Sequence, residues 1–502
     1  MSGRRGGPES EGARTGWTGA DLIALGASEG PALGRMLRVV NARPHTAAEV
    51  GAVVEAHRPP PALAQRAEPA PCEWNITAET EDERENVARL RETMDVVLRV
   101  PVVERGAIMP DACPSGPVGT IPVGGVVAAR DAILPGMHSA DICCSLMATV
   151  LDGPTPAEAM AAAHEATHFG PGGRGARGEL ALPDALAEAV DALPYPGLGD
   201  VARAHMGTQG DGNHFAFVGT LESTGQTALV THHGSRGLGA RVFRAGMRIA
   251  EDFRKRLSPT TPKQNAWIPW DTDEGRAYWA ALGTVREWTR RNHESLHELV
   301  VGATGAAVAL RRWNEHNFVF REDDDDGALF WHAKGATPIH DPLLPDTDGV
   351  QIVPLNMAEP VLFVVGERNA RNLGFAPHGA GRNTSRTRHK RRLAGRSEAE
   401  VLAEETAGLD VRFFCGRADV SELPSAYKDA ASVQADMARF ELARVVDRVL
   451  PHGSIMAGDW ERDAPWKVRA RERAARREGA GAPDAPDAHR PDGHEENARW
   501  PS

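Results

Sequence analysis

The feature of this 502-residue chain that most constrains its fold is the interleaving of strand-like and helical runs between residues 87 and 460. Runs rich in Val, Ile and Phe, typical of strands, occupy 121–129, 146–151, 228–231, 318–320 and 361–365. Apolar residues recur at helical spacing in 155–168, 241–256 and 433–449. The alternation predicts a single large mixed α/β domain of the α+β class, which we place at residues 80–460.

The segments on either side of this body differ from it in composition. Residues 1–16 are polar and rich in glycine, and residues 466–502 are rich in Pro, Asp, Arg and Glu, so both are predicted to be disordered. Residues 17–61 predict a small helical module that ends in three consecutive prolines. Within the large domain, residues 317–334 predict a hairpin, with the acidic run 323–326 as its solvated tip.

The composition limits the cellular compartments and the classes of binding partner expected for this protein. The net charge of -12 argues against a protein that coats nucleic acid with its whole surface, although a local basic groove stays possible because the local field decides binding. Five cysteines without regular spacing do not predict a disulfide framework. No apolar run approaches the roughly 20 residues that span a bilayer. We therefore expect a cytoplasmic protein without a membrane partner.

The segment 377–382, Pro-His-Gly-Ala-Gly-Arg, places His378 between small residues and ahead of a basic run. Glycines let a backbone approach a ligand closely, and arginines donate forked hydrogen bonds to phosphate. A neutral imidazole in this setting is able to attack phosphorus and carry the group covalently. The alternative is a surface turn followed by a solvated basic strip, and these residues alone leave both interpretations open.

Four other segments offer metal ligands beside small residues: 139–144, 210–215, 231–237 and 315–318. Together they contain Asp, Cys and several His, a donor set that suits Mn²⁺ or Zn²⁺. Each histidine taken singly is more often a hydrogen-bonded structural residue than a ligand. The segments lie up to about 175 residues apart, so spacing does not join them into one site.

A different metal motif, His-Glu-x-x-His, occurs at 164–168 in a predicted helix. His164 and His168 would share one helical face, with Glu165 as the base of a zinc peptidase. The following sequence breaks the helix and supplies no third histidine nearby. The alternative is a surface helix with a polar face, which we favour.

Taken in order, these segments resemble the RtcB family of RNA ligases, which join an RNA 3′-phosphate to a 5′-hydroxyl. The matching stretches are AIMPDACPSGPVGTIPVGGVVA, MHSADICCSLM, MGTQGDGNHF, VTHHGSRGLG, EHNFVF, HAKGATP, HGAGRNTSR and ELPSAYKD. The resemblance implies one or two Mn²⁺ bound by Asp141, Cys144, His214, His232 and His316. It implies that GTP guanylylates His378, the nucleophile.

The resemblance also implies the remaining site residues. Those near the nucleotide are Asn213, Asn317, Pro354, Asn356, Met357, His378, Gly379, Ala380, Gly381, Ser385 and Tyr427. Those that bind RNA ends and phosphates are Arg236, Lys334, Arg382 and Arg386. The implied partner is RNA with a 3′-phosphate or 2′,3′-cyclic phosphate and a 5′-hydroxyl, tRNA among the candidates. An activating protein partner is left open, and so is a degenerate relative that binds broken ends without joining them.

The chain departs from the family pattern at several positions. Cys113 stands where the family has His, and Ala333 where it has Arg. Phe217 replaces a Glu that reaches the guanine edge, and Ala457 replaces a Lys at the base. A site without the hydrogen bonds that select a base loses discrimination. We therefore predict relaxed or altered guanine selectivity, with the phosphoryl chemistry retained.

Overall fold

The computed structural model describes residues 12–27, 31–56, 62–344 and 347–460. The chain divides into two compact units, one of Met1–Leu63 with Arg256–Pro259 and one of Ala64–Lys255 with Thr260–Ser502. The predicted tail at 466–502 and residues 1–11 of the predicted disordered start lie outside the described residues. Helices and strands alternate in the second unit, which confirms the predicted mixed fold class.

The first unit contains three short helices in its described part, α1 Gly19–Ala24, α2 Pro31–Asn41 and α3 Ala47–Ala56. Thr18 caps α1 by accepting a hydrogen bond from the Asp21 N–H, and the Asp21 carboxylate accepts one from the Thr18 N–H. The buried apolar side chains in the described part of the module are Trp17, Leu22, Ala27, Met36, Val40, Val50 and Val54. Ordered backbone begins before the predicted boundary at 17, because Arg14 and His45 exchange two backbone hydrogen bonds of 2.9 Å.

The strands of the second unit form two main sheets. Their bounds are β1 Cys72–Trp74, β2 Val103–Cys113, β3 Val123–Arg130, β4 Ala132–Ile133, β5 Ser145–Asp152, β6 Phe215–Leu221, β7 Thr227–His233, β8 Ile268–Pro269, β9 Ala307–Glu315, β10 Asn317–Asp324, β11 Gly327–Lys334, β12 Ala336–Pro338, β13 Gln351–Val353, β14 Val361–Val365, β15 Phe375–Pro377, β16 Asp410–Phe413 and β17 Arg444–Met456. The smaller sheet has the order β1-β2-β3-β11-β10. The larger has the order β13-β14-β17-β6-β7-β5-β9, and β16 also pairs with β17.

Nine further α-helices begin in the described part of the second unit. Their bounds are α4 Glu81–Leu98, α5 Pro156–Ala166, α6 Asp184–Asp191, α7 Leu198–His205, α8 Arg236–Leu257, α9 Asp273–Thr304, α10 Arg386–Arg392, α11 Glu398–Glu405 and α12 Ala430–Arg439. α9 is the longest of the described helices, and it ends at Gly305, whose φ of 65° lies in the left-handed region that glycine adopts without strain. Among the described residues, no helix combines the length and apolar character that crossing a bilayer requires.

The two faces of the larger sheet bury separate apolar cores. Because side chains alternate along a strand, β6 sends Ala216 and Val218 to one face and Phe217 to the other. The first face packs against Met160 and Ala163 of α5, and we call this the α5-side core. The other face buries side chains of β5, β7, β14 and β17 together with Phe217.

The hairpin prediction is confirmed, and one helix prediction is wrong. β10 and β11 pair along their whole length, with the exposed Asp325 and Asp326 at the turn. The helix predicted over 433–449 ends at Arg439, Glu441 adopts a φ of 53°, and β17 follows. β17 is hydrogen-bonded to β14 on one side and β6 on the other, and these tertiary hydrogen bonds override the local helical pattern.

Candidate active site

One end of the larger sheet collects the predicted metal ligands. Four of them border this end, namely Cys144, His214, His232 and His316. The strands β9, β5, β7 and β6 are antiparallel neighbours, and their register sets Ser145 opposite both Glu315 and His233. Segments far apart in the sequence therefore end at the same sheet edge, which the spacing of the residues did not reveal.

Five side chains converge there at short distances. Cys144 Sγ lies 3.5 Å from His214 Nε2 and 3.2 Å from His232 Nε2. His232 Nε2 lies 3.2 Å from His316 Nε2, and His214 Nε2 lies 3.1 Å from Asp141 Oδ2. The residues form two overlapping groups that share Cys144, each with its ligand atoms within 4.8 Å of one another. These five residues are the predicted metal set.

Backbone carbonyls orient two of the imidazoles. His214 Nδ1 lies 2.5 Å from the Gln209 carbonyl oxygen, and His232 Nδ1 lies 3.0 Å from that of Asn213. A ring nitrogen that faces a carbonyl carries the proton, so Nε2 of each ring turns its lone pair toward the cluster. Burial lowers the pKa of His232 to about 3 and holds the pKa of His316 well below its usual range. Both rings are neutral, which is the form that binds metals.

The thiol of Cys144 also fits a cation. Burial, followed by the charge of Asp141, raises the pKa of Cys144 well above its usual value. A divalent cation would offset that unfavourable environment, because thiolate binding to a metal deprotonates the thiol. Sulfur, imidazole and one carboxylate together suit Mn²⁺ or Zn²⁺.

His378 lies next to this cluster, directly after β15. Its Nδ1 is 2.5 Å from Asp111 Oδ2, and the same oxygen accepts the backbone N–H groups of His378 and Gly379 at 3.1 and 3.3 Å. Asp111 is fully buried on β2. The ring centroid of His378 lies 4.8 Å from that of His316. Because Nδ1 donates its proton to Asp111, Nε2 keeps a lone pair that is free to react.

A cavity of about 290 Å³ joins these groups and is near the lower end of ligand-pocket volumes. Its walls include most of the predicted site residues: Asp141, Cys144, Asn213, His232, His316, Asn317, Lys334, Pro354, Asn356, Met357, His378, Gly379, Ala380, Gly381, Arg382, Arg386 and Tyr427. The fold therefore brings the separate motifs into one concave site.

Glu422 holds the basic wall of this cavity. Only 2% of Glu422 is exposed, and its carboxylate accepts from Arg382 Nη2 at 2.6 Å, Arg386 Nε at 2.7 Å and the Tyr427 hydroxyl at 2.5 Å. The Arg382 guanidinium also stacks 4.5 Å from the Tyr427 ring centroid. Two guanidinium groups share one carboxylate, so the wall keeps a net positive charge that suits phosphate.

Another part of the cavity is largely apolar. Phe215 and Phe217 of β6 lie opposite Met456 and Ser454 of β17, and all four side chains line the cavity. Ala457, which was expected beside the base, does not line it. Strand alternation turns Ala457 into the α5-side core instead. Of the two positions at which a base contact is expected to be lost, Phe217 lines the cavity and Ala457 does not.

Three predicted residues lie outside the cavity lining. Ser385 is exposed, and its hydroxyl caps α10 by accepting from the Arg388 N–H at 3.3 Å. Arg236 begins α8 with a φ of 54° and packs its guanidinium against Gly210. His214 is buried behind Cys144, where it remains part of the metal-type cluster.

The sequence analysis missed three buried charged residues of the site, Asp111, Glu422 and Lys428. Lys428 donates to the carbonyl oxygens of Pro110 and Ala112, both at 2.8 Å, and so holds the strand on either side of Asp111. Burial lowers the pKa of Lys428 to about 8. All three lie within the family-like stretches AIMPDAC and ELPSAYKD, and this location could have drawn attention to them. Their hydrogen-bond partners, however, are brought to them only by the tertiary fold.

The peptidase interpretation of residues 164–168 is wrong. α5 ends at Ala166, and the extended backbone of Thr167 takes His168 off the helix. The His168 ring instead packs edge-on against Phe414, with centroids 5.0 Å apart. Within the described ranges, neither His164 nor His168 belongs to a group able to hold a metal.

Comparison with known proteins shows that this chain is similar to RNA ligases. The family model described as tRNA-splicing ligase RtcB matches residues 197–457. The chain is 30% identical over 298 residues to the RNA-splicing ligase RtcB of Mycobacterium tuberculosis, a match that covers 54% of this chain and 67% of that protein. It is 28% identical over 285 residues to the tRNA-splicing ligase RtcB of Aeropyrum pernix, covering 49% and 58%. The corresponding protein of Thermococcus kodakarensis is 27% identical over 318 residues, covering 56% and 63%. The chain thus spans about two thirds or less of the length of these relatives.

Proposed function

Because the chain belongs to the RtcB family of tRNA-splicing ligases, we propose that it joins an RNA 3′-phosphate end to a 5′-hydroxyl end through a nucleotide carried on His378. The proposed substrates are broken RNAs, cleaved tRNA among them, and the nucleotide donor is GTP. One observation carries the proposal. His378, held by Asp111, faces the cluster of Asp141, Cys144, His214, His232 and His316 at one cavity.

In the first step, His378 Nε2 attacks the α-phosphorus of the nucleotide. A phosphorus–nitrogen bond forms, the bond to the bridging oxygen of the β-phosphate breaks, and pyrophosphate leaves. Asp111 accepts the Nδ1 proton in a hydrogen bond of 2.5 Å, which keeps the lone pair on Nε2 and stabilises the positive charge that develops on the ring. The guanidinium groups of Arg382 and Arg386 line the same cavity and would stabilise phosphate oxygens.

Two further phosphoryl transfers complete the reaction. An oxygen of the RNA 3′-phosphate attacks the same phosphorus, and the phosphorus–nitrogen bond to His378 breaks. The 5′-hydroxyl then attacks the 3′-phosphate, loses its proton and expels GMP, which leaves a 3′–5′ phosphodiester. A 2′,3′-cyclic phosphate end is first opened by water. Positioning and charge stabilisation dominate such transfers.

The metal-type cluster would hold one or two Mn²⁺. When bound, such ions polarise phosphoryl oxygens and neutralise their charge. The protein presents unprotonated Nε2 atoms to the ions. The backbone carbonyl oxygens of Gln209 and Asn213 accept hydrogen bonds from the Nδ1–H groups of His214 and His232, so the proton of each ring stays on Nδ1. The neutral, buried His316 ring and the buried Cys144 thiol complete a dry donor set.

We further propose that the base of the nucleotide is selected weakly. Guanine presents an N–H and an amino group that need acceptors, and a carboxylate is the strongest acceptor a protein offers. At the apolar part of the cavity, Phe215, Phe217 and Met456 have no side-chain acceptor, and Ser454 contributes one hydroxyl. This composition favours stacking and shape over hydrogen-bonded recognition of guanine.

Joining of RNA oligonucleotides with defined ends tests the ligase proposal. One pair carries a 3′-phosphate and a 5′-hydroxyl, and a matched pair carries a 3′-hydroxyl and a 5′-phosphate. With Mn²⁺ and a nucleoside triphosphate mixture, we expect the first pair alone to be joined, and His378→Ala to abolish joining. Tight binding of the first pair without any joined product would contradict the ligase proposal and favour the alternative, a degenerate protein that holds broken ends.

A further inference from the structure

Helix α8 carries a row of exposed arginines. Arg241, Arg244 and Arg248 lie three and four residues apart, so at about 100° per residue they occupy one face of the helix within about 60°. The rise of about 1.5 Å per residue makes the row about 10 Å long. Such a row of cations on one face is the arrangement that tracks a repeated negative charge.

Carboxylates do not neutralise this row within the part of the chain that the structure describes. Arg244 and Arg248 form no ion pair there, and Arg241 donates to the neutral carbonyl of Gly197 at 2.8 Å. Partial burial and then the charges of Arg241 and Arg248 lower the pKa of Arg244. The three side chains therefore repel one another and lack a counter-ion of their own.

The most basic stretch of the sequence, helix α10, is by contrast engaged in ion pairs. These pairs are Arg386 with Glu422, Arg388 with Asp82 and Glu85, Lys390 with Asp419 and Asp459, and Arg392 with Asp82. Most of the cationic strip behind His378 is thus compensated within the protein. Arg244 and Arg248 of α8, by contrast, have no ion pair among the described residues.

The helix that carries the arginine row borders the candidate active site. α8 begins directly after Ser235, and the preceding Gly234 packs so closely on Asp141 that a Cβ there would collide with the carboxylate. Phe243, between Arg241 and Arg244 in the sequence, lines the cavity. At about 100° per residue, Phe243 lies about 100° to 160° round the helix from these arginines, so the row is on the part of α8 turned away from the cavity wall. A polymer that leaves the cavity over α8 would meet the row.

We propose that Arg241, Arg244 and Arg248 bind the phosphate backbone of the RNA strand whose end lies in the cavity. The inference rests on the proposed RNA-ligase function. In a chain with a net charge of -12, an uncompensated cationic row on the helix that borders the cavity is a local attractor for a polyanion. Contacts to backbone phosphate position a strand without reading its sequence, which suits an enzyme that joins many ends.

The test compares two double variants that each remove two positive charges. Arg244→Ala with Arg248→Ala disrupts the row. Arg439→Ala with Arg444→Ala is the control, because both residues are exposed, form no ion pair among the described residues, and Arg444 begins β17 at the end away from the cavity. The probe is a fluorescent single-stranded RNA with a 3′-phosphate, titrated at several salt concentrations.

We expect the α8 variant to bind the RNA more weakly and to flatten the slope of log K against log salt by about 1.4, at about 0.7 for each lost phosphate contact. The control variant should keep the wild-type slope. A wild-type slope in the α8 variant, or an equal loss in the control, would overturn the inference. Nucleotide labelling is measured on the same samples. If RNA binding depends on the row but the wild-type protein takes up no nucleotide label, the result contradicts the ligase proposal and supports the inference about α8.

Discussion

Asp111 and His378 are 267 residues apart in the sequence, yet Asp111 Oδ2 lies 2.5 Å from His378 Nδ1. The carboxylate is buried on β2, and the histidine follows the short strand β15. Three donors from the His378 segment meet that one oxygen, so both the ring and its backbone are held in place. The direction in which Nε2 points is therefore a property of the whole fold.

Asp111→Asn should impair nucleotide transfer to His378. The amide does not hold the proton on Nδ1 as the carboxylate does, so the attacking Nε2 becomes protonated for part of the time. We expect the labelling rate to fall by about 10²- to 10⁴-fold. Asp436→Asn, at a buried carboxylate that binds Thr77 away from the cavity lining, is the control. A labelling rate within a few-fold of wild type would contradict the role of Asp111.

His214→Ala should weaken metal binding, because it removes a ligand from the group that includes Asp141 and Cys144. We expect Mn²⁺ affinity, measured by titration, to fall by about 10-fold or more. His164→Ala is the control, since α5 keeps that histidine outside any metal-type group of the described residues. Equal affinity in the two variants would show that the ion binds elsewhere.

The stability of the protein should fall in acid partly because of His332. Burial lowers the pKa of His332 to about 3, and its Nε2 accepts the Leu134 N–H at 2.9 Å. In the unfolded chain the His332 side chain has the ordinary pKa of about 6.5. Between about pH 6.5 and 3 it therefore binds a proton in the unfolded chain but stays neutral in the folded protein. The contribution is complete above about pH 6.5 and is lost as the pH falls toward 3, by up to about 1.4 kcal/mol per pH unit.

His332→Gln removes that titration and should flatten the dependence of the unfolding free energy on pH between about 6.5 and 4.5. Urea unfolding of both proteins across this range gives the comparison. Parallel pH curves for wild type and variant would mean that His332 does not contribute.

Phe217 should set the weak base selectivity. With each α-labelled nucleoside triphosphate in turn, we expect wild-type label from more than one nucleotide. Phe217→Gln adds an acceptor opposite Ser454 at the cavity wall, and we expect it to shift labelling toward GTP. Phe217→Leu, which adds no acceptor, should keep the wild-type pattern. Wild-type label from GTP alone would contradict the proposal.

The residues of the candidate site were easier to predict from the sequence than the helices and strands on which they lie. Motifs rich in Gly, His and Cys, which strongly resemble those of the family, single out the five metal-type residues and His378. The convergence of Cys144 and His316 depends on the pairing of β5 with β9, which residue spacing does not encode. Tertiary strand pairing likewise turned part of the predicted helix 433–449 into β17.

Charges were the least predictable part of the site. The sequence predicts either a phosphate-binding surface or a solvated strip for the basic residues of α10. In the structure, Asp82 and Glu85 of α4 bind Arg388 from about 300 positions away. The sequence does not point to Glu422, because an acid is not expected in a phosphate site. Its place there is explained by its ion pairs with Arg382 and Arg386. Such pairs form through the tertiary fold, so no local pattern signals them.

The central claim is that His378 carries the nucleotide. Incubation with Mn²⁺ and α-labelled nucleoside triphosphates, followed by denaturing electrophoresis and peptide mapping, tests it directly. The account predicts an acid-labile, protein-bound label on the peptide that contains His378, absent from His378→Ala although that variant shows the wild-type urea unfolding curve. A bound label that persists in His378→Ala, or that maps to another peptide, would contradict it.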